Sequence, residues 1–463
     1  MNLFFRPAGN FRRVSAFPTL NFARRPLNSL AMHHFRYVGK QLFCEGVSLE
    51  ALARKFGTPF YVYSQHTLAD HFRKLDMALA PLDHLICFAM KSNSNLSVLR
   101  VLANLGGGFD IVSAGELQRV LAAGGNPAQC VFAGVGKTAA EIAFALKAGV
   151  YSFNVESEAE MQRINQVAAK LKKIAPIAVR VNPNVEAHTH AKITTGTYEN
   201  KFGIAFEDVE RVYARAAKLK NLRLRGVQMH IGSQITETSP FELAVKKVLP
   251  LVNKLTAKYT LEFFSVGGGL GIVYDPMLAS GQPAWWRTAA AKNILTPASY
   301  AARLLPLLQP LGLKILLEPG RFISGNAGAL VTRVEYVKRT GKKNIVIVDA
   351  AMNDLIRPAF YDAYHEIVPL AKKGRATVKS DVVGPICESG DYFCKDRPLQ
   401  KVGEGDALAL LSAGAYGAVM GSNYNARPLP PEILVNGRQF AAARERQPVE
   451  KIWAEEKVVS WLK

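Results

Sequence analysis

The chain has 463 residues, 49% of them hydrophobic and 21% charged, with 36 Gly and 24 Pro. That length allows two or three ordinary domains, or one barrel with an attached domain, and the composition excludes disordered, collagen-like and disulfide-framework classes. A net charge of +21, from 58 Lys and Arg against 37 Asp and Glu, suggests anionic partners without identifying them; no groove-reading motif points to nucleic acid.

No apolar run approaches the roughly 18 to 20 residues that a spanning helix needs, so no membrane partner is expected. The five cysteines (44, 87, 130, 387 and 394) show neither C-x-x-C pairing nor zinc spacing. Reduced thiols, a cytoplasmic location and no metal follow as expectations.

Residues 1 to 31 bear Arg, lack Asp and Glu, and show no packed-domain pattern. A transit peptide, which would imply an organelle, shares these traits; a mis-assigned start is favoured, because Met32 opens a sensible N-terminus. The segment 32–60 leads into the strand-like FYVY, which is expected to join a second domain and tie both ends of the chain together.

Short apolar runs then alternate with longer amphipathic segments. Strand candidates fall at 85–90, 109–112, 130–133, 151–155, 176–181, 224–230, 261–266 and 313–318. The helical patterns between them include GELQRVLAAGG and TAAEIAFALKAG, each ended by Gly. Eight such units predict an α/β fold, a closed (β/α)8 barrel over 61–320, with an open doubly wound sheet as the alternative. Beyond it, strands at 329–338, 344–349, 407–412 and 432–435 follow without long helices and predict a mostly β domain over 321–463. Two long polar loops, 182–201 and 274–296, follow strands at the end where barrel enzymes carry substrate-covering loops.

The polar residues cluster at strand C-termini. Lys91 follows the first strand, Asp110 lies in the second, Arg180 and Asn182 end the fifth, His230 the sixth, and Glu318 the eighth. Lys91 reads either as a surface lysine or as a Schiff-base lysine whose amine burial would lower in pKa. VGGGLG after the seventh strand is either a tight turn or a loop whose backbone N–H groups approach a phosphate, and EPGR adds a carboxylate and an Arg to the same region. A Glu beside a pyridine ring would keep its nitrogen protonated, as pyridoxal phosphate chemistry requires.

FAMKSNSN, GGGFDIVSAGEL, VFAGVGKT, ENKFGI, MHIGSQ, VGGGLG, EPGR, MNDLIRPAFYDAYH, GPICESGD and GAYG occur in that order. Over about 35–460 the chain resembles the diaminopimelate decarboxylases, enzymes of the alanine-racemase-like barrel group that use pyridoxal 5'-phosphate. The resemblance implies that Lys91 bonds the cofactor, His230 stacks on its ring and Glu318 partners its nitrogen. It also implies that Asp110, Ser233, Gly268, Gly269, Gly320, Arg321 and Tyr416 belong to the cofactor site. Arg321, Arg357, Tyr361, Glu388 and Tyr416 match substrate contacts. Cys387 is either a small buried residue or a proton donor, the resemblance favouring the donor, and with Glu388 it is expected to reach into a partner subunit's barrel in a homodimer with shared active sites. Outside this motif Arg357 would read as a surface ion pair. The sequence departs from the family at GVQMHIGSQ, where His or Cys often shortly precedes the stacking His.

The implied reaction converts meso-2,6-diaminopimelate to L-lysine and carbon dioxide, the last step of lysine biosynthesis. The substrate's distal end needs a cation for its carboxylate and an anion for its ammonium, which Arg357, Arg321 and Glu388 can supply. A decarboxylase for ornithine, arginine or carboxynorspermidine, and a non-catalytic homologue, are the alternatives.

Overall fold

The computed structural model describes residues 33–185, 201–279, 284, 287, 288, 294–341 and 343–462. The segment 1–31, most of the loop 182–201 and about half of the loop 274–296 therefore lie outside the described residues. Those described belong to one unit spanning Ala31–Lys463.

Three short strands, β1 (Phe35–Val38), β2 (Gln41–Cys44) and β3 (Val47–Ser48), form an antiparallel ribbon, followed by β4 (Phe60–Ser64). The barrel strands are β5 (His84–Ala89), β6 (Gly108–Ile111), β7 (Cys130–Phe132), β8 (Ser152–Val155) and β9 (Ala175–Asn182). A two-residue β10 (Ile204–Ala205) precedes β11 (Leu222–Met229), β12 (Phe263–Ser265) and β13 (Lys314–Leu317). All eight expected strands are present and parallel, and closure is direct: β13 pairs with β5, with Ile315 opposite His84. β10 lies beside Val181 and Asn182 at the end of β9. The open-sheet alternative is thereby excluded.

Local signals set the crossovers. Ser113, Thr138 and Ser157 each accept the backbone N–H three residues on, satisfying a donor that helix geometry leaves orphaned. Thr138 with Glu141 closes a capping box, and Gly149 ends that helix at φ 78°, a left-handed conformation suited to glycine.

Side chains alternate across each strand, so the barrel interior receives every second residue. One layer, Cys87, Val131, Ala178, Phe263 and Leu316, is apolar and fully packed. Two residues further along the same strands the register delivers Ala89, Ala133, Arg180, Ser265 and Glu318. The interior thus changes from hydrocarbon to polar within one step toward the strand C-termini.

After β13 the chain forms β14 (Gly328–Thr340), β15 (Lys343–Val348), β16 (Ile367–Pro369), β17 (Thr377–Val383), β18 (Tyr392–Gln400), β19 (Ala407–Leu410), β20 (Glu432–Asn436) and β21 (Gln439–Arg444). These and β4 build one mixed sheet, in which β4 runs antiparallel to β14 and parallel to β20. FYVY thus does join the C-terminal sheet, and β4 crosses the boundary drawn between 60 and 61. Sequence reading missed β16, β17, β18 and β21. In TVKSDVV the buried stretch Ser380–Val382 is itself largely polar, and in YFCKDRPLQ Lys395, Asp396 and Arg397 separate the buried Cys394 from Leu399, so no long apolar run marks them. No helix among the described residues is long and apolar enough to cross a membrane.

Candidate active site

A cavity of about 570 Å³ opens at the C-terminal ends of the barrel strands and reaches the β domain. Lys91, Asp110, His230, Ser233, Gly269 and Glu318 line it. Gly320, Arg321, Arg357, Tyr361 and Tyr416 complete the predicted residues found there.

Lys91 lies in the turn Met90–Ser92 directly after β5, and its Nζ donates to Asp110 Oδ2 at 2.9 Å. Burial alone would lower this ammonium's pKa, but the Asp110 carboxylate outweighs it, and the pKa stands above its ordinary value. The expected lowering is therefore reversed in the cofactor-free protein: Lys91 is a cation resting on a carboxylate. Asp110 is 1% exposed, and its Oδ1 has no hydrogen-bond partner.

Glu318 accepts three hydrogen bonds, from Gln228 Nε2 at 2.9 Å, Ser265 Oγ at 2.8 Å and Asn154 Nδ2 at 3.4 Å. Burial, reinforced by the Asp110 charge, pushes its carboxyl up to about 7 despite these donors. His230 Nδ1 accepts the Gly268 N–H at 3.1 Å, so Nε2 carries the proton of the neutral ring. Burial, with Arg180 and Lys91 nearby, holds the imidazole well below its usual pKa. Gly268 itself does not line the cavity and contributes through this N–H.

The glycine run lies flat on the strand ends. An added Cβ would sit 2.2 Å from the Met229 carbonyl oxygen at Gly267, 2.1 Å from that of Glu318 at Gly268 and 2.5 Å from that of Gly232 at Gly269. Gly267 and Gly269 also have φ of +74° and +102°. The motif is therefore a required close approach rather than only a turn.

The same cavity holds a cationic group. Arg321 donates through Nη1 to Tyr274 Oη at 3.1 Å and through Nη2 to Ser233 Oγ at 3.4 Å, and lies 4.8 Å from the Tyr416 ring centroid. Its Nε is buried without a partner. Arg357 opens the helix Arg357–Tyr361, 5.2 Å from the Tyr274 ring, and donates through Nη1 to His365 Nε2 at 2.9 Å. Both arginines are buried, and among the described residues neither makes an ion pair with a carboxylate. Arg357 is thus not a surface ion pair. Burial would raise the Tyr274 hydroxyl, but Arg357 and Arg321 outweigh it and hold it below its ordinary pKa. Tyr416 has φ 56°, unusual for a side-chain-bearing residue, and its N–H bonds to Ser92 O at 2.7 Å, next to Lys91.

Two predicted residues stand apart. Cys387 and Glu388 are exposed and do not line this cavity. Cys387 is accordingly not a small buried residue; its N–H bonds to Asn425 Oδ1 at 3.2 Å, while Glu388 Oε2 accepts from Tyr424 Oη at 3.1 Å. Conversely, the prediction omitted Tyr274, Gln228, Ser265, Asn154 and His365. Asn154, Gln228 and Ser265 left one signal, a polar residue inside an otherwise apolar strand.

A parallel barrel with a lysine after its first strand, a buried carboxylate ending its last and a glycine ribbon between defines a pyridoxal-dependent class of enzyme. The family described as pyridoxal-dependent decarboxylase, pyridoxal binding domain, matches residues 65–325. Diaminopimelate decarboxylase from Neisseria meningitidis serogroup B is 50% identical over 416 residues, 90% of this chain and 97% of that protein. Its counterpart from Pseudomonas aeruginosa is 49% identical over 432 residues, 92% of this chain and 100% of that protein. The crystal structure of diaminopimelate decarboxylase from Helicobacter pylori complexed with L-lysine has a TM-score of 0.82 and 40% identity, covering 88% of this chain and 99% of that one. The chain belongs to the diaminopimelate decarboxylase family and is a pyridoxal-phosphate-dependent carboxy-lyase.

Proposed function

We propose that the chain decarboxylates meso-2,6-diaminopimelate to L-lysine in the cytoplasm, with the cavity residues in the roles that follow. The carrying observation is the pair of buried arginines, Arg321 and Arg357, that face one cavity with no carboxylate partner among the described residues. Such cations suit a ligand that brings its own carboxylate.

The residues fit pyridoxal phosphate: the glycine ribbon leaves no room for side chains, and Asp110 Oδ1 and Arg321 Nε are buried polar atoms without partners. Lys91 would hold its aldehyde carbon, Glu318 its ring nitrogen, His230 one ring face, and Ser233, Gly269, Gly320 and Arg321 its phosphate. When bound, the cofactor supplies an electron sink for the pair left behind by carbon dioxide.

The protein's own part is positioning and proton control. Asp110 accepts from Lys91 Nζ and holds the ammonium at the cavity wall. Glu318, with a carboxyl titrating near neutrality, can hold a proton or release it. Arg357 and Arg321 would grip the distal carboxylate, with Tyr361 and Tyr416 closing the walls. The five free cysteines fit a reducing compartment.

Cys387 and Glu388 fit this scheme in a homodimer, where they would complete the cavity of a second copy, Glu388 meeting the distal ammonium and Cys387 delivering the proton to carbon. Mixing inactive Lys91→Ala and Cys387→Ala chains should then restore about a quarter of wild-type activity per site, since random mixing makes half the dimers hybrid, each with one intact site. No recovery after demonstrated subunit exchange would place both roles within one chain. The substrate assignment is tested by a panel of diaminopimelate, ornithine, arginine and carboxynorspermidine with added cofactor: lysine formation is expected, and turnover of ornithine in its place would overturn it.

A further inference from the structure

Cations buried in this protein have two kinds of partner. Arg180 pairs with Glu156 at 2.8 Å and Lys137 with Glu160 at 2.6 Å, so both are neutralised internally. Arg357 is equally buried, at 6% exposure, yet its side-chain partners are not carboxylates but the His365 imidazole and the Tyr274 hydroxyl. His365 Nδ1 lies 2.9 Å from the Leu411 carbonyl oxygen, a bond that only an Nδ1–H can make. Nε2 therefore carries the lone pair and accepts from Arg357. The ring is fully buried and its orientation is fixed, since the residue's own carbonyl also accepts from Arg397 and Tyr274 packs edge-on at 5.7 Å. Burial and the neighbouring Arg357 push the imidazole well below its usual pKa, so it stays neutral.

We propose that His365 is a positioning residue for substrate selection: its neutral Nε2 aims the Arg357 guanidinium into the cavity while leaving its positive charge available to the substrate's distal carboxylate. A glutamate in the same place would orient Arg357 equally well but cancel that charge, and a dicarboxylate substrate would then exchange hydration for an already neutralised pair. A phenylalanine or leucine would leave the charge but lose the aim. The inference rests on the reading of Arg357 as the distal-carboxylate contact.

The test uses the full chain loaded with pyridoxal phosphate and compares the near-isosteric His365→Gln and His365→Glu, each checked by thermal melting. Readouts are KM and kcat for meso-diaminopimelate and the Kd of L-lysine, which keeps the distal carboxylate but has nothing to lose. His365→Gln should stay within about threefold of wild type in KM, because its amide oxygen replaces Nε2 as a neutral acceptor. His365→Glu should raise KM and the lysine Kd roughly tenfold to a hundredfold while kcat stays within about threefold. Equal KM and Kd in the two variants would overturn the proposal. Should His365→Glu fail to fold, His365→Leu carries the test: a raised KM supports the role in aiming Arg357, and a wild-type KM contradicts it. Arg357→Gln, run in parallel, separates the two levels. If it leaves KM and the lysine Kd unchanged, the substrate reading falls; if it weakens both while His365→Glu does not, only the role of His365 falls.

Discussion

Within one cavity, one group of residues sets the buried carboxylates Asp110 and Glu318 beside Lys91, whereas another surrounds Tyr274 with Arg321 and Arg357 and, among the described residues, pairs neither arginine with a carboxylate. In the first group the carboxylates accept from neutral donors and from Lys91, so the charge there can change by moving a proton. Around the arginines the acceptors are the Tyr274 and Ser233 hydroxyls and the His365 imidazole, so the positive charge stays until a ligand answers it. Proton handling and anion recognition are thereby assigned to two groups of residues, two walls of one cavity, and each can be perturbed without the other.

The largest effect should come from removing the centre of the proton-handling wall. Lys91→Ala is expected to lower kcat by about three orders of magnitude or more while L-lysine still binds, measured by single-turnover assay and calorimetry. Loss of lysine binding on the same scale would show that the walls are not separable. Gly268→Ala comes next: a Cβ 2.1 Å from the Glu318 carbonyl oxygen forces backbone movement, so a loss of about 2 to 4 kcal/mol in unfolding free energy is expected by denaturant titration.

A smaller and pH-dependent effect belongs to Glu318. Its folded pKa, raised from 4.5 to about 7, means that the folded state binds the proton more tightly than the unfolded state. The stability this contributes is fully present below about pH 4.5 and is lost as pH rises through 7. In the cofactor-free protein, Glu318→Gln should therefore gain stability relative to wild type between pH 5 and 8, by roughly 3 kcal/mol at most. A difference that does not change with pH would contradict the account of this wall. The smallest effect is a control: Arg211, exposed and paired with Asp208 and Glu158, should be replaceable by Ala with unchanged activity and melting temperature.

The two walls were not equally legible in the sequence. Lys91, Asp110, His230 and Glu318 stood out because a charged or polar residue at the end of an apolar strand contradicts barrel packing, which is a local signal. Gln228, Ser265 and Asn154 carry the same signal in weaker form, since an uncharged polar residue inside a strand is common, and only their convergence on Glu318 from three strands reveals their part. The carboxylate-free wall draws on Tyr274, Arg321, Arg357 and His365 from separate loops and from both domains, and no spacing pattern reports that they meet. The roles of Arg321 and Arg357 came from family resemblance, whereas Tyr274 and His365 were missed. The fold was more legible than either wall: all eight barrel strands follow from short apolar runs, while β17 and β18, whose polar and charged residues interrupt any such run, did not.

The selection of a distal carboxylate by the arginine wall is measured by calorimetric titration of the cofactor-loaded protein with L-lysine and with 1,5-diaminopentane, which lacks only that carboxylate. L-Lysine is predicted to bind about a hundredfold more tightly, as expected for a carboxylate meeting a buried guanidinium, and the gap should close in Arg357→Gln. Equal affinity of the wild-type protein for the two ligands would contradict the account.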